Sequence, residues 1–139
     1  MIDTNVMLDL LHFDDAIARP LRLALEDGCV RCMVSDSTLA EWRRVLAYPE
    51  FGLDSAQQAT LFARYQALAD KADAVGVDVG LPRCSDPDDQ QFIELAAAVR
   101  AQGLVSKDRA LLKLRRRCAP QFRILTPAEA VRWLDDSAA

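Results

Sequence analysis

Short apolar runs that alternate with amphipathic helical segments constrain the fold of this chain more than any other sequence feature. Strands are predicted over residues 1–2, 30–34, 75–81, 104–106 and 122–125, and the first of them is unusually short for a strand. Helices are predicted between them, over 5–11, 14–26, 35–48, 55–74, 86–102, 108–117 and 127–134. Strands that alternate with helices imply parallel pairing. We therefore predict an α/β fold with a short central parallel sheet flanked by helices on both faces.

The length and composition of the chain predict one domain. The 139 residues have room for one hydrophobic core, which we expect over 1–134, with a frayed tail over 135–139. The net charge of −4 argues against a generic basic nucleic-acid binder. No uncharged run approaches the roughly 20 apolar residues of a membrane span, and Asp3 stands where a secretion signal has a cation. A cytoplasmic protein is expected, although the short first strand leaves open a start upstream of Met1.

Four cysteines raise the question of a zinc site. The pair Cys29 and Cys32 has suitable spacing, but Cys84 and Cys118 stand alone and the sequence has one histidine, His12. A second half of such a site is therefore missing. In a reducing compartment the thiols are expected to be free, with buried thiols as the default.

Acidic residues follow the predicted strands. In a parallel sheet the carboxyl ends of the strands share one edge, where ligands bind. Carboxylates that meet there repel one another unless they bind a cation, and oxygen ligands without His or Cys favour Mg²⁺ or Mn²⁺. Such a site suits metal-assisted hydrolysis of a phosphodiester. The candidates are Asp3, Glu41, Asp86, Asp88, Asp89 and Asp108.

Each of these acids also has a structural interpretation. Asp3, Asp86 and Asp108 can each cap a helix, and Glu41 can be a solvated helix residue. Asp89 is the better functional candidate of its cluster, because it extends the buried stripe of Phe92 and Ile93 toward the edge of the sheet. Asp88 is the residue of that cluster expected to face solvent.

Four motifs in order resemble the PIN domain family, and most closely its bacterial and archaeal branch of toxins related to VapC. They are Asp3-Thr4-Asn5-Val6, the lone Glu41, the segment 86–96 that begins Asp86-Pro87-Asp88-Asp89, and the segment 104–112 that contains Ser106-Lys107-Asp108. The resemblance spans residues 2–126. It implies a Mg²⁺- or Mn²⁺-dependent ribonuclease with catalytic residues Asp3, Glu41, Asp89 and Asp108. Asp86 matches a further metal ligand of this branch, and Thr4, Asn5 and Ser106 match residues that orient the acids.

The resemblance has two departures. Lys107 stands where the family often has Gly, and Ala110 stands where a second Asp is common. The first removes backbone freedom beside Asp108, and the second lowers the local negative charge. Neither removes a central acid, so we expect an intact site.

The expected partners are RNA, a small antitoxin protein and a second copy of the chain. Basic residues around the acids are candidates for RNA contact, namely Arg43, Lys107, Arg109 and Lys113. The cluster 113–117 can equally be a solvated helix end. The resemblance implies the homodimer and the antitoxin, for which the apolar side of the helix 55–74 is a candidate surface.

Other function classes fit less well. A haloacid-dehalogenase-type phosphatase needs a second acid at Asn5, and a receiver domain needs paired acids that the sequence lacks. A dinucleotide enzyme needs a glycine-rich fingerprint, which is absent. A PIN fold that only binds nucleic acid or protein stays open as the alternative function.

Overall fold

The computed structural model describes residues 1–73 and 80–138, and within them short strands alternate with helices. The elements in chain order are α1 (Thr4–Leu11), α2 (Arg19–Glu26), β1 (Cys32–Val34), α3 (Asp36–Leu46), a 3-10 turn (Pro49–Phe51), α4 (Ser55–Leu68), β2 (Ala69–Lys71), α5 (Pro87–Ala98), β3 (Gly103–Val105), α6 (Arg109–Leu112), α7 (Arg115–Cys118), β4 (Arg123–Leu125) and α8 (Pro127–Ala138). Helices and short parallel strands confirm the mixed α/β class.

The strands of the described residues form two separate parallel pairs, β1 with β2 and β3 with β4. The single sheet predicted from the alternation is therefore corrected to two pairs. The predicted first strand is reduced to one bridge between Ile2 and Val105. Its backbone bonds continue the parallel pattern, since Asp3 N donates to Val105 O and Val105 N donates to Met1 O, both at 2.9 Å.

Three helices begin at residues whose side chains cap the first turn. Ser35 and Thr38 form a capping box at α3, because each side chain bonds the other residue's backbone N–H. Asp54 and Gln57 form the same arrangement at α4. The α5 helix begins with Asp86 as the cap and Pro87 at its first position.

The buried apolar side chains form two clusters. The first packs α1, α3 and α4 around Trp42, and the second packs α5 against β3 and β4 around Phe92. Trp42 is fully buried, and its indole N–H donates to the backbone oxygen of Leu61 at 3.4 Å. The acidic site described below lies where the residues following Ile2, β1 and β3 meet the start of α5.

The helix predicted over 55–74 is too long. It ends at Leu68, and residues 69–71 form β2 beside β1, so pairing with another strand overrides the helical pattern of the sequence. The strand predicted over 75–81 falls mainly on residues 74–79, which lie outside the described residues. The predicted first position of β1 also moves, from residue 30 to Cys32.

Other helices also differ from their predicted bounds, and the helix predicted over 86–102 ends at Ala98. The helix predicted from residue 14 begins at Arg19, and Ile17 and Leu23, expected to face inward, are exposed by 62% and 46%. The segment 108–117 divides into α6 and α7. The last helix continues past residue 134 to Ala138. No helix of the described residues is both long and apolar enough to cross a membrane.

Candidate metal site

Asp3 is held at the point where the first bridge ends and α1 begins. It occupies the N-cap position of α1 but its side chain makes no capping hydrogen bond, and it is 3% exposed. Asp3 Oδ2 instead accepts a hydrogen bond from Ser106 Oγ at 2.7 Å. Burial raises the pKa of the Asp3 carboxyl group, the charge of Asp108 raises it further, and the Ser106 hydroxyl opposes the rise.

Ser106 joins two of the predicted acids. Besides donating to Asp3, its Oγ accepts a hydrogen bond from Asp108 N at 2.9 Å. Ser106 is fully buried directly after β3, and its hydroxyl group is used both as a donor and as an acceptor. The serine therefore sets the relative positions of the two carboxyl groups that follow Ile2 and β3.

Glu41 approaches the same region from α3. Its Oε2 accepts a hydrogen bond from Thr4 Oγ1 at 2.8 Å, which ties the second turn of α3 to the first turn of α1. Burial raises the pKa of the Glu41 carboxyl group, and the charge of Asp3 adds to the rise. Ionised Asp3 therefore disfavours the ionised form of Glu41.

Asp86, Asp89 and Asp108 form a group of three carboxylates. One oxygen from each lies within 4.8 Å of the others, so they could hold one metal ion. Asp86 Oδ1 also caps α5 by accepting from Asp88 N at 3.0 Å, and Asp108 Oδ1 caps α6 by accepting from Ala110 N at 2.8 Å. Asp86 and Asp108 can each cap a helix with one carboxylate oxygen and bind a metal ion with the other.

Asp89 differs from its neighbours in burial. Asp89 is buried, with 7% of its surface exposed, whereas Asp86 and Asp88 are exposed. The apolar stripe that contains Phe92 predicts the burial of Asp89 and the exposure of Asp88. Asp89 Oδ2 is buried and has no hydrogen-bond partner among the described residues. Burial raises the pKa of Asp89 to about 8, with further contributions from the close approach of the Asp108 carboxyl group and from the charges of neighbouring acids. A buried carboxylate oxygen without a donor is costly unless a proton or a cation satisfies it.

The oxygen ligands around Asp89 fit Mg²⁺ or Mn²⁺. The close group contains carboxylates without His or Cys, the donor set that these hard cations prefer. The four cysteines are free, and Cys29 is exposed while Cys32 is buried in β1. No group of three potential ligands in the described residues includes either thiol.

The predicted RNA-contacting cations are more dispersed than the acids. Lys107 Nζ pairs with Asp9 Oδ2 at 2.6 Å, and its charge also lowers the pKa of Asp3. Arg43 lies over the ring of Phe62, with its Cζ atom 4.2 Å from the ring centroid. Arg109 and Lys113 are exposed at the two ends of α6, and Asn5 is exposed on α1.

One residue near the site was not predicted. The side chain of Asp9 is 16% exposed and pairs with Lys107, and Asp9 is the one charged residue of α1, a sequence signal that could have found it. Arg44, three positions after Glu41 on α3, is one of the basic residues expected around the acids, and its charge lowers the pKa of Glu41.

The arrangement agrees with a comparison against known protein families. The model of the PIN domain family matches residues 1–110, which include all of the acids described above. No curated protein and no solved structure matches the chain. PIN domains are in general nucleases that use divalent metals. Because the match covers most of the chain, this protein belongs to the PIN domain family.

Proposed function

We propose that the chain is a Mg²⁺- or Mn²⁺-dependent endoribonuclease. The observation that carries this proposal is the buried Asp89 Oδ2, which has no partner among the described residues although carboxylate oxygens of Asp86 and Asp108 lie nearby. A divalent cation at this point would satisfy the orphaned oxygen and balance the repulsion of three acids. The membership of the PIN domain family supports the nuclease class.

Each acid has a role in this proposal. Asp86, Asp89 and Asp108 would hold the cation. Asp3, which Ser106 connects to the backbone of Asp108, would be a further ligand on its buried side. The cation, when bound, supplies the Lewis acidity for attack of water on a phosphodiester. Glu41 acts as a proton acceptor for the attacking water. Thr4 orients its carboxyl group, and burial raises the pKa of that group. Asn5 supports the site from the exposed face of α1.

RNA binding is assigned to exposed cations that flank the acids. Arg109 begins α6 directly after Asp108, Lys113 follows the end of α6, and Lys107 precedes Asp108. Arg43 follows Glu41 by two positions on α3. Cations on both sides of the carboxylates would attract the RNA backbone despite the net charge of −4.

We extend the proposal to the toxin of a toxin–antitoxin pair that works in the cytoplasm as a homodimer. The free thiols suit a reducing compartment. On α4, the predicted partner surface, Leu61 and Tyr65 are buried, and Phe62 and Leu68 are partly buried. The exposed aromatics Phe13 and Tyr48, each packed near Phe51, are a better surface for the second copy. Light scattering of Phe13→Ser beside the parent tests this: a dimer that persists in the variant contradicts that surface.

Cleavage of a mixed RNA substrate by the purified protein tests the function. We expect cutting with Mn²⁺ or Mg²⁺ and none with EDTA. Asp89→Asn and Asp3→Asn should lower the rate by at least about 100-fold, whereas Asp88→Asn, an adjacent exposed carboxylate, should keep most of it. Cutting that survives both site substitutions would contradict the assignment.

The alternative is a PIN fold that binds nucleic acid or protein without cleaving it. That function predicts RNA retention with Mn²⁺ present and no cleavage at any metal concentration. The same assay, run beside a filter-binding measurement, separates the two functions. Cleavage in the parent protein would exclude the alternative.

A further inference from the structure

Lys107 brings a positive charge into the turn that joins two of the acids. It lies between Ser106, whose hydroxyl donates to Asp3, and Asp108, whose backbone N–H donates to Ser106 Oγ. Ser106 N also donates to Leu125 O of β4 at 2.9 Å. The backbone on both sides of Lys107 is therefore fixed relative to the acidic site.

The end of the Lys107 side chain is held as well. Lys107 Nζ pairs with Asp9 Oδ2 at 2.6 Å, and the Asp9 side chain is 16% exposed whereas that of Lys107 is 48% exposed. A largely covered carboxylate thus holds an ammonium group that still reaches solvent. An ammonium group has three N–H donors, and the pair with Asp9 requires one of them, so the others can bond a second anion.

The position of Asp9 follows from the burial of α1. All residues of this helix are buried except Asn5 and Asp9, which are four positions apart and share one face. The same helix begins directly after Asp3. The open face of α1 therefore provides the anchor of Lys107, on the helix that starts at one of the site's acids.

The ammonium group acts on the acids from the side of Asp3. Burial raises the pKa of the Asp3 carboxyl group, and the charge of Lys107 lowers it. Within the described residues, three close ligand oxygens occur together at Asp86, Asp89 and Asp108, and this group does not include Asp3. The chain therefore offers a divalent ion one compact group of acids and places a cation of its own beside the remaining one.

We propose that Lys107, positioned by Asp9, is a resident cation of the acidic site and binds a non-bridging oxygen of the RNA phosphate that is cleaved. This inference rests on the proposed function. It assigns one divalent ion to each chain, because the fixed ammonium group supplies the positive charge that a second ion would otherwise provide beside Asp3. Asp9 is then a positioning residue, which acts through Lys107 and does not itself touch RNA.

The role of Lys107 in hydrolysis is electrostatic. A water oxygen bonds to phosphorus and gives a proton to Glu41, while the bond from phosphorus to one ribose oxygen breaks and that oxygen takes a proton from solvent. The phosphate oxygens hold the negative charge during this exchange. An ammonium group that is already in position stabilises this charge without rearrangement. Lys107 keeps its proton throughout.

Calorimetric titration with Mn²⁺ tests the resident charge without RNA. The parent should bind one Mn²⁺ ion per chain, and Lys107→Met, which keeps a long side chain but removes its charge, should bind Mn²⁺ about 3- to 10-fold more tightly. Lys71→Met removes a lysine that pairs with Asp36 at 2.6 Å and should leave the Mn²⁺ affinity unchanged. Unchanged or weaker binding in Lys107→Met, or a second Mn²⁺ ion bound to the parent with similar affinity, would overturn the inference.

Single-turnover cleavage at saturating protein tests the contact with phosphate. Lys107→Met should lower the rate constant about 10- to 100-fold, and Lys107→Arg, which keeps the charge, should recover most of it. Asp9→Asn should lower the rate constant about 3- to 10-fold, because the ammonium group loses its anchor. In the Lys107→Met background Asp9→Asn should have no further effect. A parental rate in Lys107→Met would overturn the phosphate contact, and additive losses in the double variant would overturn the positioning role of Asp9.

The two experiments separate this inference from the proposed function. A parent that binds Mn²⁺ without cleaving RNA would overturn the nuclease and the phosphate contact. The Mn²⁺ affinity of Lys107→Met would still decide whether Lys107 is a resident cation, because that titration contains no RNA. A parent that binds no Mn²⁺ would overturn both the proposed metal site and the inference.

Discussion

The carboxyl group of Asp89 is buried without a donor, and this makes it a destabilising residue in the metal-free protein. Its pKa is about 8 in the folded chain, above that of an ordinary Asp, so the folded protein holds a proton that the unfolded chain releases. The stability of the metal-free protein should therefore fall as the pH rises from about 4 to about 8. Bound Mn²⁺ should remove this loss, because it binds the ionised form.

Asp89→Asn isolates that effect. The neutral amide carries no charge, so the variant should be more stable than the parent in EDTA at pH 8, by about 1–3 kcal/mol. The difference should shrink at pH 5, where the parent is protonated. Urea unfolding at both pH values measures it, with Asp88→Asn as the exposed control. A variant that is less stable than the parent at pH 8 would contradict this account.

Ser106 holds Asp3 and Asp108 together, so Ser106→Ala should affect both stability and metal binding. The change leaves Asp3 Oδ2 and Asp108 N without their present partner, which should destabilise the protein by about 1–3 kcal/mol. Mn²⁺ affinity should fall about 10- to 100-fold. Ser37→Ala removes an exposed hydroxyl that bonds Gln91 and serves as the control in the same titration. Unchanged Mn²⁺ affinity in Ser106→Ala would show that the serine does not position the acids.

At the scale of secondary structure, the sequence predicts best those elements whose ends have local causes. The α3 helix begins at the Ser35–Thr38 box and α5 begins at Asp86-Pro87, and both starts are visible in the residues themselves. The β2 strand has no such local signal, because residues 69–71 are held by pairing with β1 across the chain. The break between α6 and α7 likewise has no counterpart in the periodicity of residues 108–117.

The start of α8 makes a prediction about acid stability. Glu129 accepts from Thr126 N and forms a bidentate pair with Arg115, and these contacts lower the pKa of Glu129 to about 2. The folded state therefore gains stability that is present above the ordinary Glu pKa and is lost as the pH falls toward 2. Glu129→Gln should destabilise the protein by about 1–2 kcal/mol at pH 7 and much less at pH 2.

Thermal melting of the parent and Glu129→Gln across pH 2–7 measures this effect. Glu26→Gln, which removes an exposed carboxylate on α2, is the matched control. If the parent and Glu129→Gln differ in melting temperature by the same amount at pH 2 and pH 7, the charge of Glu129 is not the cause of the stability difference.

At the scale of the whole molecule, an acidic chain must still bind a polyanion. Arg115 is engaged by Glu129, so the free positive charge beside the acids comes chiefly from Arg109 and Lys113. RNA affinity should fall with salt, and the slope of log K against log salt should weaken by about 0.7 for each phosphate contact that Arg109→Gln or Lys113→Gln removes. Arg132→Gln, on α8, should leave the slope unchanged. Equal slopes in all four proteins would contradict this RNA surface.

The burial and placement of the acids were more predictable than the sheet, while the catalytic roles of these acids stay predictions. Motif order placed Asp3, Glu41, Asp89 and Asp108 in one region, and helical periodicity distinguished buried Asp89 from exposed Asp88. The ion pair of Lys107 with Asp9 was not predictable from spacing, because it joins elements far apart in the sequence.

Calorimetric titration of the metal-free protein with Mn²⁺ tests the central claim most directly. The account predicts saturable binding to the parent and to Asp88→Asn, and binding weakened at least about 100-fold in Asp89→Asn. Equal Mn²⁺ affinity in all three proteins, or no binding to the parent, would contradict the assignment of Asp89 and its neighbours as the metal site.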